Sequence, residues 1–223
     1  MNRIPLPARL GLLSLNAVPL VHALGVLAPW HLLADRPWSL RLGWSLAVLY
    51  LLPPLLCRCL LLVFGRPPVR SSGFTTPFFV WWATSQLNAL FIRFPALEEF
   101  LKLVPGVYSN WLRLWGARIG RLVYWGPRLQ IMDRSFLEIG DDAMIGYGVG
   151  FTAHHVNRQE DGTMELVLAS PKVGARAILG GLSGLTPGAE VAEGEMLPST
   201  MGLAPFYLWK SGRRVKGEKY LGT

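Results

Sequence analysis

The chain has 223 residues, 51% of them apolar and only 16% charged, and carries a formal net charge of +8. Such a length holds one sizeable domain, or one domain with a membrane anchor, and so apolar a composition is unusual for a wholly soluble protein of this size. Basic residues sit beside the apolar segments and again in the tail KSGRRVKGEK, a placement that suits anionic headgroups or a phosphate-bearing co-substrate, so nucleic acid is not expected as a partner.

Leu10 to Leu33, LGLLSLNAVPLVHALGVLAPWHLL, contains no Lys, Arg, Asp or Glu, and about 20 such residues cross a bilayer as a helix. Asn16, Pro19 and His22 interrupt the run and are placed against a partner helix. A cleaved signal peptide is the competing reading. Against it stand the length of the run, the lack of an A-x-A-like site at its end, and a second apolar run that follows at once. That second run, Leu42 to Phe64, is broken by Pro53, Pro54 and Arg58. Residues 1–70 are therefore expected to form a transmembrane helical hairpin. Arg3 and Arg9 before it and Arg66 and Arg70 after it outweigh Arg36 and Arg41, which Asp35 offsets. Both ends are thus expected in the cytoplasm, on a multi-pass chain of the inner membrane. The only cysteines, Cys57 and Cys59, lack the spacing of a zinc site; they read as small packers facing lipid or a neighbouring helix, and no metal is expected.

Phe78 to Ile92, FFVWWATSQLNALFI, is uncharged but too short for an ordinary span. With the following RFPALEEFLKLVPGVYSNWLRLW it reads as interfacial amphipathic helices over 71–115, with Trp81, Trp82, Trp111 and Trp115 at headgroup level. Two alternatives stay open: these aromatics pack the helices against the next domain, or a third complete span runs here.

From Ile119 the chain repeats every six residues. Aliphatic or aromatic side chains fall at Ile119, Trp125 and Ile131, then after a shift of two at Ile139, Ile145 and Phe151, and again at Val167, Val173, Leu179, Leu185, Val191, Leu197 and Leu203. Six residues make one short strand and one tight turn, three units close a triangular coil, and the repeating aliphatic points into its core. Glycines serve the turns because they accept positive φ. No helical period explains the spacing. Residues 116–204 are expected to form a parallel β-helix of about four coils, preceded by the helical anchor. Residues 205–223 abandon the period and are expected to cover its open end with Phe206, Tyr207 and Trp209.

The segments IGDDAMIGYGVGFTAHH and VGARAILGGLSGLTPGAEVAEGEMLPSTM resemble the hexapeptide-repeat acyltransferases, over residues 113–205. The resemblance implies a left-handed parallel β-helix, a thioester donor (acyl-CoA or acyl carrier protein) as co-substrate, and commonly a homotrimer. The apolar front half resembles only the membrane-attached members.

Between Phe151 and Val167 the excess is no multiple of six, so the chain must leave the wall over 153–166. The departing segment HHVNRQEDGTME holds two of the chain's four histidines. In the family it resembles, a histidine at the start of such a loop is the general base. Imidazole suits that role because it can take a proton and return it near neutral pH. His154, three residues after Phe151, matches the usual placement, and His155 is the substitute. Glu160, Asp161 and Glu165 are candidates to orient the imidazole, against the plainer reading as solvated loop charges. Asn157 and Arg158 are candidates to contact acceptor or donor. Gly180, Gly181 and Ser183 would allow the donor's arm to approach, and Lys210, Arg213, Arg214 and Lys216 are candidates for its phosphates or for a membrane surface.

The function expected is acyl transfer from a thioester to a hydroxyl or amine of a lipidic or lipid-linked acceptor, since a soluble acceptor needs no anchor. An acetyl-only enzyme of a polysaccharide pathway and a non-catalytic trimeric scaffold at the membrane are the rivals.

Overall fold

The computed structural model describes residues 5–217; Arg3 and the tail beyond 217 lie outside them. Two apolar segments, Leu6–Leu32 and Trp38–Phe64, are each long and apolar enough to cross a membrane. Both are broken at prolines. The first comprises α1 (Leu6–Asn16), α2 (Val18–Leu27) and α3 (Pro29–Leu32), the second α4 (Trp38–Tyr50) and α5 (Leu52–Phe64). Proline has no N–H, so Pro54 leaves the Tyr50 carbonyl without its helical donor. The Trp111 indole Nε1–H supplies one from another helix, at 2.8 Å. The His22 ring contributes similarly, its Nε2 donating to Val48 O at 3.1 Å.

A short strand β1 (Arg70–Ser72) leads to α6 (Thr76–Arg93), α7 (Ala96–Lys102) and α8 (Val107–Leu114). Helix α6 lies against α1, α2 and α5 and buries Phe78, Trp81, Leu87, Asn88 and Phe91. Trp81, Trp111 and Trp115 are buried within the protein, and Trp82, partly buried, donates its Nε1–H to Asn16 Oδ1 at 3.0 Å. These aromatics therefore pack helices together. The large apolar side chains that this region does expose are Ile92, Phe94, Phe100, Leu103, Val104 and Val107, around α7.

The repeat folds as a parallel β-solenoid. Its first two coils are β2 (Arg118–Ile119), β3 (Tyr124–Trp125), β4 (Gln130–Ile131) and β5 (Glu138–Ile139), β6 (Met144–Ile145), β7 (Gly150–Phe151). An arm of β8 (His154–Arg158) and β9 (Met164–Leu168) follows. The later coils are β10 (Lys172–Val173), β11 (Ile178–Leu179), β12 (Gly184–Leu185) and β13 (Glu190–Val191), β14 (Met196–Leu197), β15 (Gly202–Leu203). The chain ends in the hairpin β16 (Tyr207–Lys210) and β17 (Arg213–Lys216). Strands stack in register, so Ile119, Ile139, Val173, Val191 and Trp209 form one inward column. Trp125, Ile145, Leu179 and Leu197 form the second, and Ile131, Phe151, Leu185 and Leu203 the third. Because β16 continues the first column, the solenoid has about five turns rather than about four. One expected wall position is displaced: Val167 belongs to the arm, where it pairs with His155 and with Arg70 of β1, and the inward position after Phe151 is Val173.

Coil stacking explains the glycine that directly follows many of the inward residues, as at Gly120, Gly126, Gly140, Gly146, Gly174 and Gly180. A Cβ on Gly140 would lie 2.4 Å from the backbone N of Ala175 in the next coil, closer than any side chain can come. The coil corners take left-handed residues three positions after the inward one, at Leu122, Arg128, Asp142, Gly148, Arg176, Leu182, Gly188, Gly194, Thr200 and Phe206. Two corners depart from this rule, after Ile131 and after Phe151. They are the same corner of adjacent coils.

The first coil's open end is covered by α7 and α8: Trp115 and Leu112 are fully buried against it, and Arg113 donates to Ile119 O (3.0 Å) and Gly120 O (2.6 Å). At the far end Trp209 is buried and donates to Met196 O at 2.9 Å.

Candidate active site

The two exceptional corners meet. Residues 132–138 bulge from the first coil, two residues longer than the period, and carry Asp133, Arg134 and Ser135, all buried. In the next coil the chain leaves at Ala153 and His154. Backbone stacking of β4 on β7 sets these segments side by side, and Asp133 Oδ2 accepts from Ala153 N–H at 2.9 Å and contacts His154 Nδ1 at 2.7 Å. The Trp81 indole on α6 donates Nε1–H to the other oxygen at 3.3 Å and holds its ring 4.8 Å, centroid to centroid, from the imidazole.

The electrostatics follow from this arrangement. The Asp133 side chain is 2% exposed and accepts from the Ala153 amide and the Trp81 indole, so it faces Nδ1 as an acceptor. Nδ1 therefore carries the ring hydrogen and Nε2 is left with the lone pair. The His154 side chain is 29% exposed, so the imidazole has a wet side and a carboxylate-bound side. An orienting carboxylate behind an imidazole whose second nitrogen is accessible is the arrangement of a general base.

The bulge is fixed by three helices. Arg134 forms a buried ion pair with Glu98 of α7 and donates to Asn88 Oδ1 of α6 at 2.7 Å; its guanidinium sits 5.5 Å from the Phe91 ring. Glu98 also accepts from Tyr108 Oη at 2.5 Å, and burial, with Glu98 beside it, raises the Tyr108 hydroxyl well above its usual range. The Ser135 hydroxyl meets Cys57 Sγ of α5 at 2.9 Å, and Arg66 donates to Ser135 O at 3.2 Å. Burial and the neighbouring Arg118 lower the Arg66 guanidinium from its ordinary value. Cys57 is thus a buried packer against the solenoid, whereas Cys59 is exposed.

The other residues singled out from the sequence lie elsewhere. His155 is exposed, on the opposite face of β8 from His154 as strand alternation requires. Asn157 and Arg158 lie farther out on the arm and are exposed. Glu160 and Asp161 occupy its tip, beyond Arg158 and hence more than about 13 Å along the strand from His154. Asp161 accepts from the backbone N–H of Thr163 at 2.8 Å and from its hydroxyl, and these bonds, the hydroxyl's first, hold the carboxyl below its usual range. Glu165 lies 3.9 Å from Arg70. The carboxylate on the imidazole is Asp133, in place of these. Its signal in the sequence was the shift of two between Ile131 and Ile139.

On the wall, a Cβ at Gly180 would lie 2.4 Å from Ser199 N, so coil stacking requires that glycine. Gly181 faces Tyr147 O, and Ser183 is buried. Lys210 and Arg213 pair across the terminal hairpin, with Arg214 and Lys216 on the same strand β17. A cavity of about 590 Å³ is lined by Arg66, Arg118, Lys172, Phe136, Leu168 and Ala169 among others. Phe136 and Leu168 of its lining share one hydrophobic cluster with Trp81, which lies against His154, and with Ala153. Among the described residues no group of His, Cys, Asp and Glu is clustered to hold a metal ion.

No family model and no curated relative matches the chain. Solved structures share part of its shape. A maltose O-acetyltransferase from Clostridium difficile 630 is 12% identical, with 57% of this chain and 88% of that one covered and a TM-score of 0.30. A hexapeptide-repeat containing acetyltransferase from Vibrio cholerae O1 biovar eltor, complexed with acetyl coenzyme A, is 12% identical over 60% and 88% of the two chains, with a TM-score of 0.35. A galactoside acetyltransferase in complex with coenzyme A is 11% identical over 55% and 79%, with a TM-score of 0.34. Likenesses this slight carry no functional weight, and the chemistry rests on the site itself.

Proposed function

We propose that the protein is a membrane-attached acyltransferase that moves an acyl group from a thioester to a hydroxyl or amine of a lipidic acceptor. The observation that carries this reading is the contact of His154 Nδ1 with the buried Asp133 carboxylate, 2.7 Å, where the chain leaves its coil. Nε2 accepts the acceptor's proton as its oxygen or nitrogen attacks the thioester carbonyl. The tetrahedral intermediate collapses, the carbon–sulfur bond breaks, and the proton passes from Nε2 to the departing thiolate. Asp133 stays ionised and stabilises the imidazolium between the two transfers. No covalent enzyme intermediate is needed.

The lipidic acceptor is supported by where the site stands. Trp81 touches His154 from one side and packs in one cluster with Leu12 of α1, Leu61 of α5 and Trp82 of α6. Side chains of α1 and α5 thus belong to the same hydrophobic cluster as the ring that lies against the base. The test is thioester consumption and acylated-lipid formation by membranes containing the full chain, with acyl-CoA supplied. His154→Ala is expected to abolish both while the protein accumulates normally; full turnover by that variant would overturn His154 as the base, and equal turnover by membranes lacking the chain would overturn the reading in favour of a scaffold.

A further inference from the structure

We propose that the helical hairpin seats the protein in a single leaflet of an anionic bilayer, lying along the surface instead of crossing it. The inference rests on the membrane attachment proposed above and replaces the expected pair of transmembrane spans.

The reason is what lies alongside the hairpin. From Gly43 to Arg66 one side of α4 and α5 faces the folded domain. Tyr50 donates its hydroxyl to Leu97 O at 2.8 Å and receives Trp111 on its carbonyl. Arg58 reaches Arg113 O at 3.4 Å, Cys57 meets Ser135, and Arg66 donates to Gly116 O at 2.8 Å. A groove between Gly43, Leu46 and Val107 extends the apposition toward the hairpin's tip. A bilayer set perpendicular to the hairpin would need about 30 Å of hydrocarbon. Over that length it would enclose Arg58, Arg113 and the Lys102–Glu99 pair beside it, charges that hydrocarbon does not tolerate.

A seat along the surface removes the conflict. Apolar side chains of the hairpin lie bare along most of its length: Leu13, Leu20, Leu24, Leu55 and Leu62 are each about half exposed or more. Phe100 of α7 and Leu103 just after it are also bare, 65% and 76% exposed. Lipid chains cover such a face without a protein partner. Its tip carries Trp30, Trp38 and Trp44, all exposed, beside Arg36 and Arg41, residues that belong at headgroups. With a net charge of +8 on the chain, anionic headgroups are the complementary surface.

The test uses the full chain in a Cys59→Ser background, with one added cysteine either in the hairpin's tip (Ala34→Cys) or in the exposed terminal turn (Ser211→Cys). Cell-membrane vesicles of both orientations are treated with a membrane-impermeant maleimide. Both positions are expected to label in the same orientation and to lose labelling together in the other. A tip that labels only in the opposite orientation, or in neither until detergent is added, overturns the single-leaflet seat while leaving membrane attachment intact. Recovery of the chain as a water-soluble dimer without detergent overturns both, because a second copy would then be what covers the face.

Discussion

Asp133 and His154 stand at the same corner of consecutive coils, and the hydrogen bond between them is a product of coil stacking. β4 lies in register on β7, Ala153 N–H bonds to Asp133 Oδ2, and the imidazole follows one residue later. A carboxylate placed this way serves the ring's tautomer, so its charge matters more than its volume. Asp133→Asn is expected to lower kcat by on the order of 10²–10⁴ with little change in KM. The thermal midpoint should move far less than in Asp133→Ala, which also empties a buried position. Equal losses of kcat in wild type and Asp133→Asn backgrounds on adding His154→Ala would show that the two act independently, contrary to the geometry.

Trp81 joins the site to the helices through two separate features, its ring against His154 and its N–H on Asp133. Trp81→Phe keeps an aromatic ring and removes the donor, so kcat should fall by several-fold with the fold intact. Trp81→Ala is expected to destabilise the protein by about 3–5 kcal/mol as well. Chemical denaturation of the two variants in the same detergent separates the effects.

The arm's tip is expected to be dispensable for chemistry. Glu160→Gln and Asp161→Asn should leave kcat unchanged, because among the described residues the bonds of the Asp161 carboxylate close the turn onto Thr163. Since those bonds hold its pKa below the unfolded value, their contribution is present above that unfolded value and fades as pH falls through the folded one. The protection of the Thr163 amide, its exchange rate relative to the intrinsic rate at the same pH, should fall in acid for wild type and stay independent of pH for Asp161→Asn.

Glu98 serves two partners at once, Arg134 and Tyr108. Glu98→Gln leaves a buried guanidinium uncompensated and is expected to cost about 3–5 kcal/mol. Tyr108 gives the pair an alkaline signature. Its folded pKa lies above the unfolded one, so stability is complete below about pH 10 and declines as pH rises from there toward the folded value. Thermal midpoints measured between about pH 9 and 11 should fall more steeply for wild type than for Tyr108→Phe, which has no proton to lose.

Much of this was legible from the residues. The period of six placed the inward columns from Ile119 to Leu203, because an error of one residue would turn an aliphatic outward, and it located the departure at His154. What the period could not supply was pairing between corners. Asp133 sits where the register slipped by two, and a slip is visible in a sequence while the direction of the side chain it carries is not. Val167 was misplaced for a related reason: the inner end of the arm strand is buried on both faces, Leu166, Val167 and Leu168 alike, and so shows the same aliphatic as a coil. The helices were hardest. Apolar runs and tryptophans look alike whether lipid or protein covers them, and only the contacts of Trp81, Trp111 and Trp115 distinguish the two.

The carbonyl of Tyr50, orphaned by Pro54 and satisfied by Trp111, makes the front half and the solenoid interdependent. A bare peptide carbonyl in an apolar layer is costly, so the hairpin completes its own backbone bonding only when α8 is docked. In turn α8 keeps Trp111 and Trp115 out of water only when the hairpin and α6 lie on it. Cutting the chain after the hairpin would therefore strip the lid from the first coil, the coil that carries Asp133. A fragment made this way is expected to lose the Asp133–His154 pairing along with the hairpin, so the solenoid half depends on the apolar half for its own geometry.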